Sequence, residues 1–184
     1  MKNTLMSIIT FLLLVSVSSG QSKVSFGLEG GVALPMGSTS DRYGVGFGAG
    51  AFVIIPTAST SMSIVVGGDY LNMPGKTKTE IVTINLPGVS GTLTTITTYE
   101  DLQVGTVYAG PKFGRETGIY FLPSLSLNFA NETRYGFYLG GGYLIPLNSV
   151  KLNLGARYGI LNVLGKDTDE ESDSGIAVFV GVVF

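Results

Sequence analysis

Four ionisable residues are the ones through which this chain could do chemistry: Glu29, Asp69, Asp101 and Arg157. All four are predicted to lie on the face that carries small residues, so they should share an interior. A pair of carboxylates can hydrolyse a glycoside, but nothing around them indicates a cleft for a sugar. Ionised groups in a narrow interior need partners, so we expect an ion-paired network around Arg157 with Glu29 or Asp69. Such a network would either fill the interior permanently or act as a gate.

The residue types that most catalytic and metal sites require are absent. The chain of 184 residues contains no His and no Cys. Without His the Ser-His-Asp triad cannot form, and without His and Cys a zinc site lacks its usual ligands. We therefore expect a protein that is not an enzyme, with no catalytic residue, no bound metal and no cofactor.

The first twenty residues differ in composition from the rest of the chain. A short basic start precedes an apolar run, Met6 to Val17, which is too short to span a bilayer, and the small residues Ser18 to Gly20 follow. This order predicts a secretory signal peptide over residues 1–20 and one domain over residues 21–184. The formal net charge is −2 and no basic stripe is present, so nucleic acid is not an expected partner.

Eight later segments alternate between large apolar residues and small or polar ones, and turn residues bound each segment. The segments run over residues 23–34, 44–55, 62–70, 102–108, 119–129, 135–145, 150–160 and 175–184. The chain has 27 Gly and only 13% charged residues, a composition that suits all-β structure. We therefore predict an all-β fold, a single eight-stranded antiparallel up-and-down barrel.

The face opposite the large apolar residues indicates whether such a barrel lies in a membrane or in water. In the second and sixth segments that face carries Gly44, Gly46, Gly48, Gly50, Gly136, Gly140 and Gly142. Small residues suit the cramped interior of an eight-stranded cylinder, which leaves the large apolar face for lipid. In the fourth segment the large face is assigned to Leu102, Val104, Thr106 and Tyr108. The prediction is a transmembrane barrel; a soluble, exported lipocalin-like binder is the alternative, and it requires a ligand cavity lined by the large apolar face.

The last segment keeps its alternation to the final residue. Its apolar face consists of Ile176, Val178, Val180, Val182 and Phe184. This pattern resembles the C-terminal assembly signal of bacterial outer-membrane β-barrel proteins, and the whole chain resembles the small OmpA/OmpX-type, porin-like family. The resemblance implies an integral protein of the bacterial outer membrane that contacts lipid and lipopolysaccharide. It also implies a monomer, inserted by the barrel-assembly machinery through this segment.

Short and long connections alternate between the segments, and the resemblance places the long ones outside the cell. The longest, residues 72–100, is rich in Thr around Pro87-Gly88 and is predicted to form a hairpin that extends the third and fourth strands. We expect a non-enzymatic barrel that supports the outer membrane and presents its loops to an extracellular protein partner. A narrow or gated porin-like channel for small solutes is the alternative.

Pro123 conflicts with a continuous fifth strand, because proline cannot donate a hydrogen bond to the ladder. We expect either a bulge at Pro123 or full pairing only beyond it. Pro111 raises the same question near the end of the fourth strand.

Overall fold

The computed structural model contains a closed barrel of eight antiparallel strands. It describes residues 24–86, 89–130, 132–164 and 172–184, so the predicted signal peptide over residues 1–20 lies outside the described residues. The strands are β1 (Ser25–Met36), β2 (Gly46–Pro56), β3 (Met62–Met73), β4 (Thr77–Leu86), β5 (Val89–Thr98), β6 (Leu102–Gly114), β7 (Gly118–Phe129), β8 (Thr133–Leu147), β9 (Val150–Leu164) and β10 (Ser174–Val183). The order around the barrel is β1-β10-β9-β8-β7-β6-β3-β2, and β2 pairs with β1 to close it. The predicted eight-stranded antiparallel barrel is confirmed.

The two ends of the barrel differ in the length of their connections. At one end, which we call the short-turn end, the connections are residues 57–61, 115–117 and 148–149. The two-residue turn uses Asn148 at φ 52°, a left-handed conformation that Asn tolerates better than most residues. The remaining connections lie at the other end, which we call the long-loop end. Residues 130–132 form the one short connection there, as the sequence also indicates.

A single turn of helix, α1 (Thr39–Arg42), lies in the connection between β1 and β2. The sequence did not predict this turn. In the described part of the chain, no helix has the length and apolar character needed to cross a membrane.

The segment over residues 72–100 contains a hairpin, but it is a separate two-stranded sheet of β4 and β5. The expected extension of the barrel strands is therefore wrong. The backbone next to the hairpin bonds to the β1–β2 connection instead: Gly44 N donates to Pro74 O at 2.7 Å, and Lys76 N donates to Arg42 O at 2.8 Å. These bonds lie between the β3–β6 ladder and the β4–β5 ladder, which do not continue into one another.

Large apolar side chains face outward on seven of the eight barrel strands, as predicted, and β6 is the exception. Val104 and Tyr108 are each 2% exposed and point into the barrel, whereas Val107 is 50% exposed. The outward face assigned to Leu102, Val104, Thr106 and Tyr108 is therefore wrong. Both faces of β6 carry apolar residues, so alternation alone could not distinguish them.

Aromatic rings fill the interior, and each lies directly across from a glycine on the next strand. The cross-strand pairs are Phe52 with Gly27, Tyr108 with Gly67, Tyr120 with Gly142, Tyr138 with Gly159 and Phe179 with Gly155. A Cβ added to Gly67 would lie 2.5 Å from the Tyr108 hydroxyl and 2.9 Å from Phe52 Cβ. The inward glycines thus provide the space that the rings occupy.

Pro123 lies directly opposite Pro111 in the β6–β7 register. Ala109 pairs with Leu125 and Phe113 with Phe121, so the register is the same on both sides of a gap. Neither expected outcome is found, because there is no bulge and pairing resumes beyond the gap. Neither proline has an N–H to donate, so placing them opposite each other confines the lost hydrogen bonds to one position of the β6–β7 ladder. On its other side Pro111 pairs with Ile64, and Pro123 pairs with Leu139.

Candidate functional site

Arg157 of β9 reaches into the barrel and joins two carboxylates from other strands. Its Nη1 lies 2.7 Å from Asp69 Oδ2 of β3, and its Nη2 forms an ion pair with Glu29 Oε1 of β1. Arg157 is only 8% exposed. The structure therefore brings together three of the four residues that the sequence singles out, and their side chains bridge the interior between β1, β3 and β9.

Asp101 lies elsewhere, which corrects its assignment to this network. It is exposed and accepts a hydrogen bond from Gly75 N at 2.9 Å. It precedes the first residue of β6, so it lies at the base of the β4–β5 hairpin rather than inside the barrel.

Three aromatic rings surround the guanidinium of Arg157. Its Cζ lies 4.8 Å from the centroid of Tyr108, 4.8 Å from that of Phe179 and 5.5 Å from that of Tyr138. Cation–π contacts of this kind strengthen in a poorly hydrated site. Sequence reasoning missed Tyr138 and Phe179 and assigned Tyr108 to the outer face. Tyr138 and Phe179 share the alternation of the inward glycines of their own strands, which is the signal that could have found them.

A neutral hydrogen-bonded layer lies beside this cluster. Thr106 Oγ1 donates to Asn128 Oδ1 at 3.0 Å and lies 3.2 Å from the Tyr138 hydroxyl. Asn128 Nδ2 donates to the carbonyl of Leu161 at 2.6 Å. Because Thr106, Asn128 and Tyr138 are all buried, these bonds satisfy groups that have little access to water.

Toward the short-turn end, a second cation enters the interior from β6. Lys112 is 3% exposed, its Nζ donates to Arg115 O at 3.0 Å, and it lies 5.4 Å from the centroid of Tyr120. The Tyr120 hydroxyl donates to Asn153 Oδ1 at 2.9 Å. Lys112 also escaped the sequence analysis, because the fourth predicted segment ends at residue 108 and β6 continues to Gly114.

The Arg157 cluster divides the interior into two cavities. One, of about 90 Å³, extends from the cluster toward Met73 and Ser174 at the long-loop end. The other, of about 20 Å³, extends toward Lys112 at the short-turn end. Glu29 and Arg157 line both cavities, so the ion pairs form the partition between them. Among the described residues, no group of three or more Asp or Glu side chains is placed to hold a metal ion.

A set of contacts ties the loops together at the long-loop end. Arg42 Nη2 lies 2.7 Å from Asp173 Oδ1, and the Thr39 hydroxyl accepts a hydrogen bond from Ser174 N at 3.0 Å. Lys76 Nζ donates to Ser40 O at 2.7 Å. Through these contacts α1 joins the start of β10 to the base of the hairpin.

The hairpin itself is exposed. Ile81 and Ile96 are each 66% exposed, and Leu93 is 58% exposed. Lys78 and Glu80 form an ion pair at 2.9 Å. Their hydrogen bond and mutual attraction raise the pKa of Lys78 and lower the pKa of Glu80.

The chain is similar in structure to a known barrel. No protein-family model matches it, and no curated protein does. The crystal structure of Neisserial surface protein A (NspA) matches with a TM-score of 0.59 and 17% sequence identity. The match covers 90% of this chain and 98% of that chain. At this identity the likeness concerns the fold: the chain has a closed eight-stranded antiparallel β-barrel like that of NspA.

Proposed function

We propose that this protein is an integral barrel of the bacterial outer membrane that has no enzymatic role, supports that membrane and presents its β4–β5 hairpin outside the cell. The observation that carries the proposal is the outer surface of the barrel, which is covered by exposed large apolar side chains. Members more than 50% exposed are Phe26, Leu28, Phe47, Tyr70, Ile119, Leu125, Tyr135, Val178, Val180 and Phe184. An exposed apolar surface that surrounds a barrel is unfavourable in water and favourable in lipid.

Aromatic residues are exposed near both ends of this surface. At the short-turn end they are Phe26, Phe113, Phe121 and Phe184, and at the long-loop end they are Phe47, Tyr70, Phe129 and Tyr135. Two aromatic girdles at the level of the lipid headgroups are typical of outer-membrane barrels. The likeness in fold to NspA, itself an outer-membrane barrel, supports the same location.

The soluble lipocalin-like alternative requires a cavity lined by the large apolar face. That face points outward, and the interior holds the Arg157 cluster and buried rings instead. The arrangement therefore favours lipid as the main partner of the barrel, with lipopolysaccharide around the long-loop end.

The two exposed apolar sites Leu125 and Ile81 offer a direct test of membrane insertion. Leu125 is 73% exposed on the barrel and Ile81 is 66% exposed on the hairpin. A lysine on the lipid-facing surface costs about 2–4 kcal/mol near the bilayer midplane. We expect Leu125→Lys to reduce the amount of folded protein in the outer-membrane fraction and Ile81→Lys to leave it unchanged.

The measurement is fractionation of cells that produce the full chain, followed by gels of boiled and unboiled samples. Folded barrels remain compact in detergent and migrate faster without boiling, so the wild type should show this shift in the membrane fraction. Recovery of the protein in the periplasmic fraction, or equal tolerance of the two lysines, would contradict the proposal.

A narrow channel is the second candidate, and the two cavities are the observation that favours it. They lie in line on either side of the Arg157 cluster, so a rearrangement of its ion pairs would join them. Ion conductance across planar bilayers separates this candidate from a purely structural barrel.

A further inference from the structure

The half of the interior between the Arg157 cluster and the short-turn end contains a buried cation without a carboxylate partner. Lys112 is 3% exposed, and in the described part of the chain it forms no ion pair. Its ammonium group has three N–H donors, and the acceptor that the structure gives it is Arg115 O, at 3.0 Å. Lysine is almost never buried this fully unless it is paired, because removing an ion from water is costly. Lys112 therefore lacks a counter-ion.

The nearest carboxylates do not supply one. Glu29 lines the same cavity as Lys112, but it forms an ion pair with Arg157. The side chain of Glu116 is 86% exposed and lies 3.6 Å from Lys151 Nζ. Lys151 shares the inward alternation of Arg157, and its positive charge acts on that of Lys112. This half of the interior thus carries an excess of positive charge.

The cavity of about 20 Å³ beside Lys112 also has an unused hydrogen-bond donor in its wall. Asn153 lines this cavity and is 2% exposed. Its Oδ1 accepts a hydrogen bond from the Tyr120 hydroxyl at 2.9 Å, whereas its Nδ2 has no partner among the residues that the structure describes. Buried polar groups are normally paired, so the ammonium and this amide both indicate a missing acceptor. The apolar part of the wall includes Ile54, Val65 and Leu144.

We propose that this cavity is a binding site for one halide ion, chloride in the cell, held by Lys112 and by the amide of Asn153. About 10–15 Å³ of such space holds one particle the size of water, so a cavity of about 20 Å³ takes a monatomic ion but not phosphate. A water molecule would fit as well, but it would leave the charge of Lys112 without compensation. The side chain of Lys151 is 28% exposed and gives anions a positively charged entrance. A structural barrel and a channel could both hold this ion, so the site does not depend on the proposed function.

Unfolding by urea tests the site in the full chain, refolded into lipid vesicles. Sodium gluconate, whose anion is too large for the cavity, is replaced stepwise by sodium chloride at constant ionic strength. A ligand that binds only the folded state stabilises it. Above the dissociation constant, a tenfold rise in chloride should therefore raise the ratio of folded to unfolded protein about tenfold. Bromide should act in the same way, and stability that depends on neither halide would overturn the inference.

Variants of the two residues show whether the ion binds here. Asn153→Asp replaces the amide by a carboxylate of nearly the same shape, which gives Lys112 a counter-ion within the protein, so it should abolish the chloride dependence. Lys112→Met removes the cation and should abolish it too. Lys78→Met removes an exposed cation of the hairpin and should keep the full dependence. Chloride dependence that survives in both interior variants would show that the ion acts elsewhere, which would overturn the inference.

Crystals of the full chain grown in sodium bromide give a direct measurement, because bromine scatters X-rays anomalously. We expect an anomalous peak inside the barrel, beside the ammonium of Lys112. Density of the size of one oxygen atom without an anomalous signal would identify the occupant as water and would overturn the inference.

Discussion

Arg157 is the residue whose loss should affect the barrel most. It neutralises Glu29 and Asp69 inside the barrel, so Arg157→Met would leave two buried carboxylates without a cation. Removing one partner of a buried ion pair typically costs about 3–5 kcal/mol. We expect the free energy of unfolding, measured by urea titration in lipid vesicles, to fall by about this amount.

Two companion variants show whether charge is the cause. Lys78→Met removes the cation of an exposed pair on the hairpin and should leave unfolding of the barrel unchanged. Adding Glu29→Gln and Asp69→Asn to Arg157→Met should restore much of the lost stability, because no unpaired charge then remains. A triple variant as unstable as the single one would show that the packing of Arg157 against its three rings matters more than its charge.

The glycines that face the aromatic rings leave the space that the rings occupy, so a larger residue there should destabilise the barrel. A Cβ at Gly67 would press on Tyr108 and Phe52, whereas a Cβ at Gly30 would meet nothing nearer than Gly48 O at 3.7 Å. Overpacking of a filled interior typically costs about 1–3 kcal/mol. Gly67→Ala should therefore lower the urea midpoint and Gly30→Ala should not, and similar midpoints would contradict the role assigned to the ring–glycine pairs.

Among the elements, those with one clear apolar face were predictable from the sequence and those with two were not. In β2 and β8 the glycines alternate with large apolar residues, so inside and outside could be assigned. In β6 both faces are apolar, and only the space opposite Gly67 determines that Tyr108 points inward. That information comes from a neighbouring strand, which alternation within one segment does not contain.

The interior site was predictable only for residues that lie within an alternating strand. Glu29, Asp69 and Arg157 share the alternation of small residues, and a charge in a narrow interior needs a partner, so their proximity was expected. Asp101 precedes its strand, where alternation carries no information. The pairing of Pro111 with Pro123 depends on the register between β6 and β7, which no single segment contains.

The hairpin should be dispensable for the barrel. β3 and β6 pair along their full shared length, from Met62 with Phe113 to Met73 with Leu102, without any contribution from β4 or β5. Replacing residues 77–98 by a short Gly-Ser linker should therefore preserve both the heat-dependent gel shift and the urea midpoint. Loss of folding in this variant would show that the hairpin contributes to formation of the barrel.

For the whole molecule, each barrel strand carries different residue types on its outer and inner faces. The outer face is apolar, toward the proposed lipid, and the inner face carries ion-paired and aromatic side chains. Inside, the ion pairs of Arg157 separate cavities of about 90 and 20 Å³. An eight-stranded barrel has little internal space beyond its side chains. We therefore expect no steady ion conductance from the wild-type barrel in planar bilayers.

Replacing Glu29, Asp69 and Arg157 together by alanine tests whether the cluster is the barrier. The triple variant leaves no unpaired charge where the cluster was. It also removes the side chains that separate the two cavities, so the cavities should join. We expect it to conduct small ions at a low, steady level while the wild type stays silent. Brief openings of the wild type, abolished by the triple variant, would favour a gated channel, in which the ion pairs rearrange. Steady conductance by the wild type would contradict the partition itself, because a continuous water path cannot pass a closed cluster of side chains.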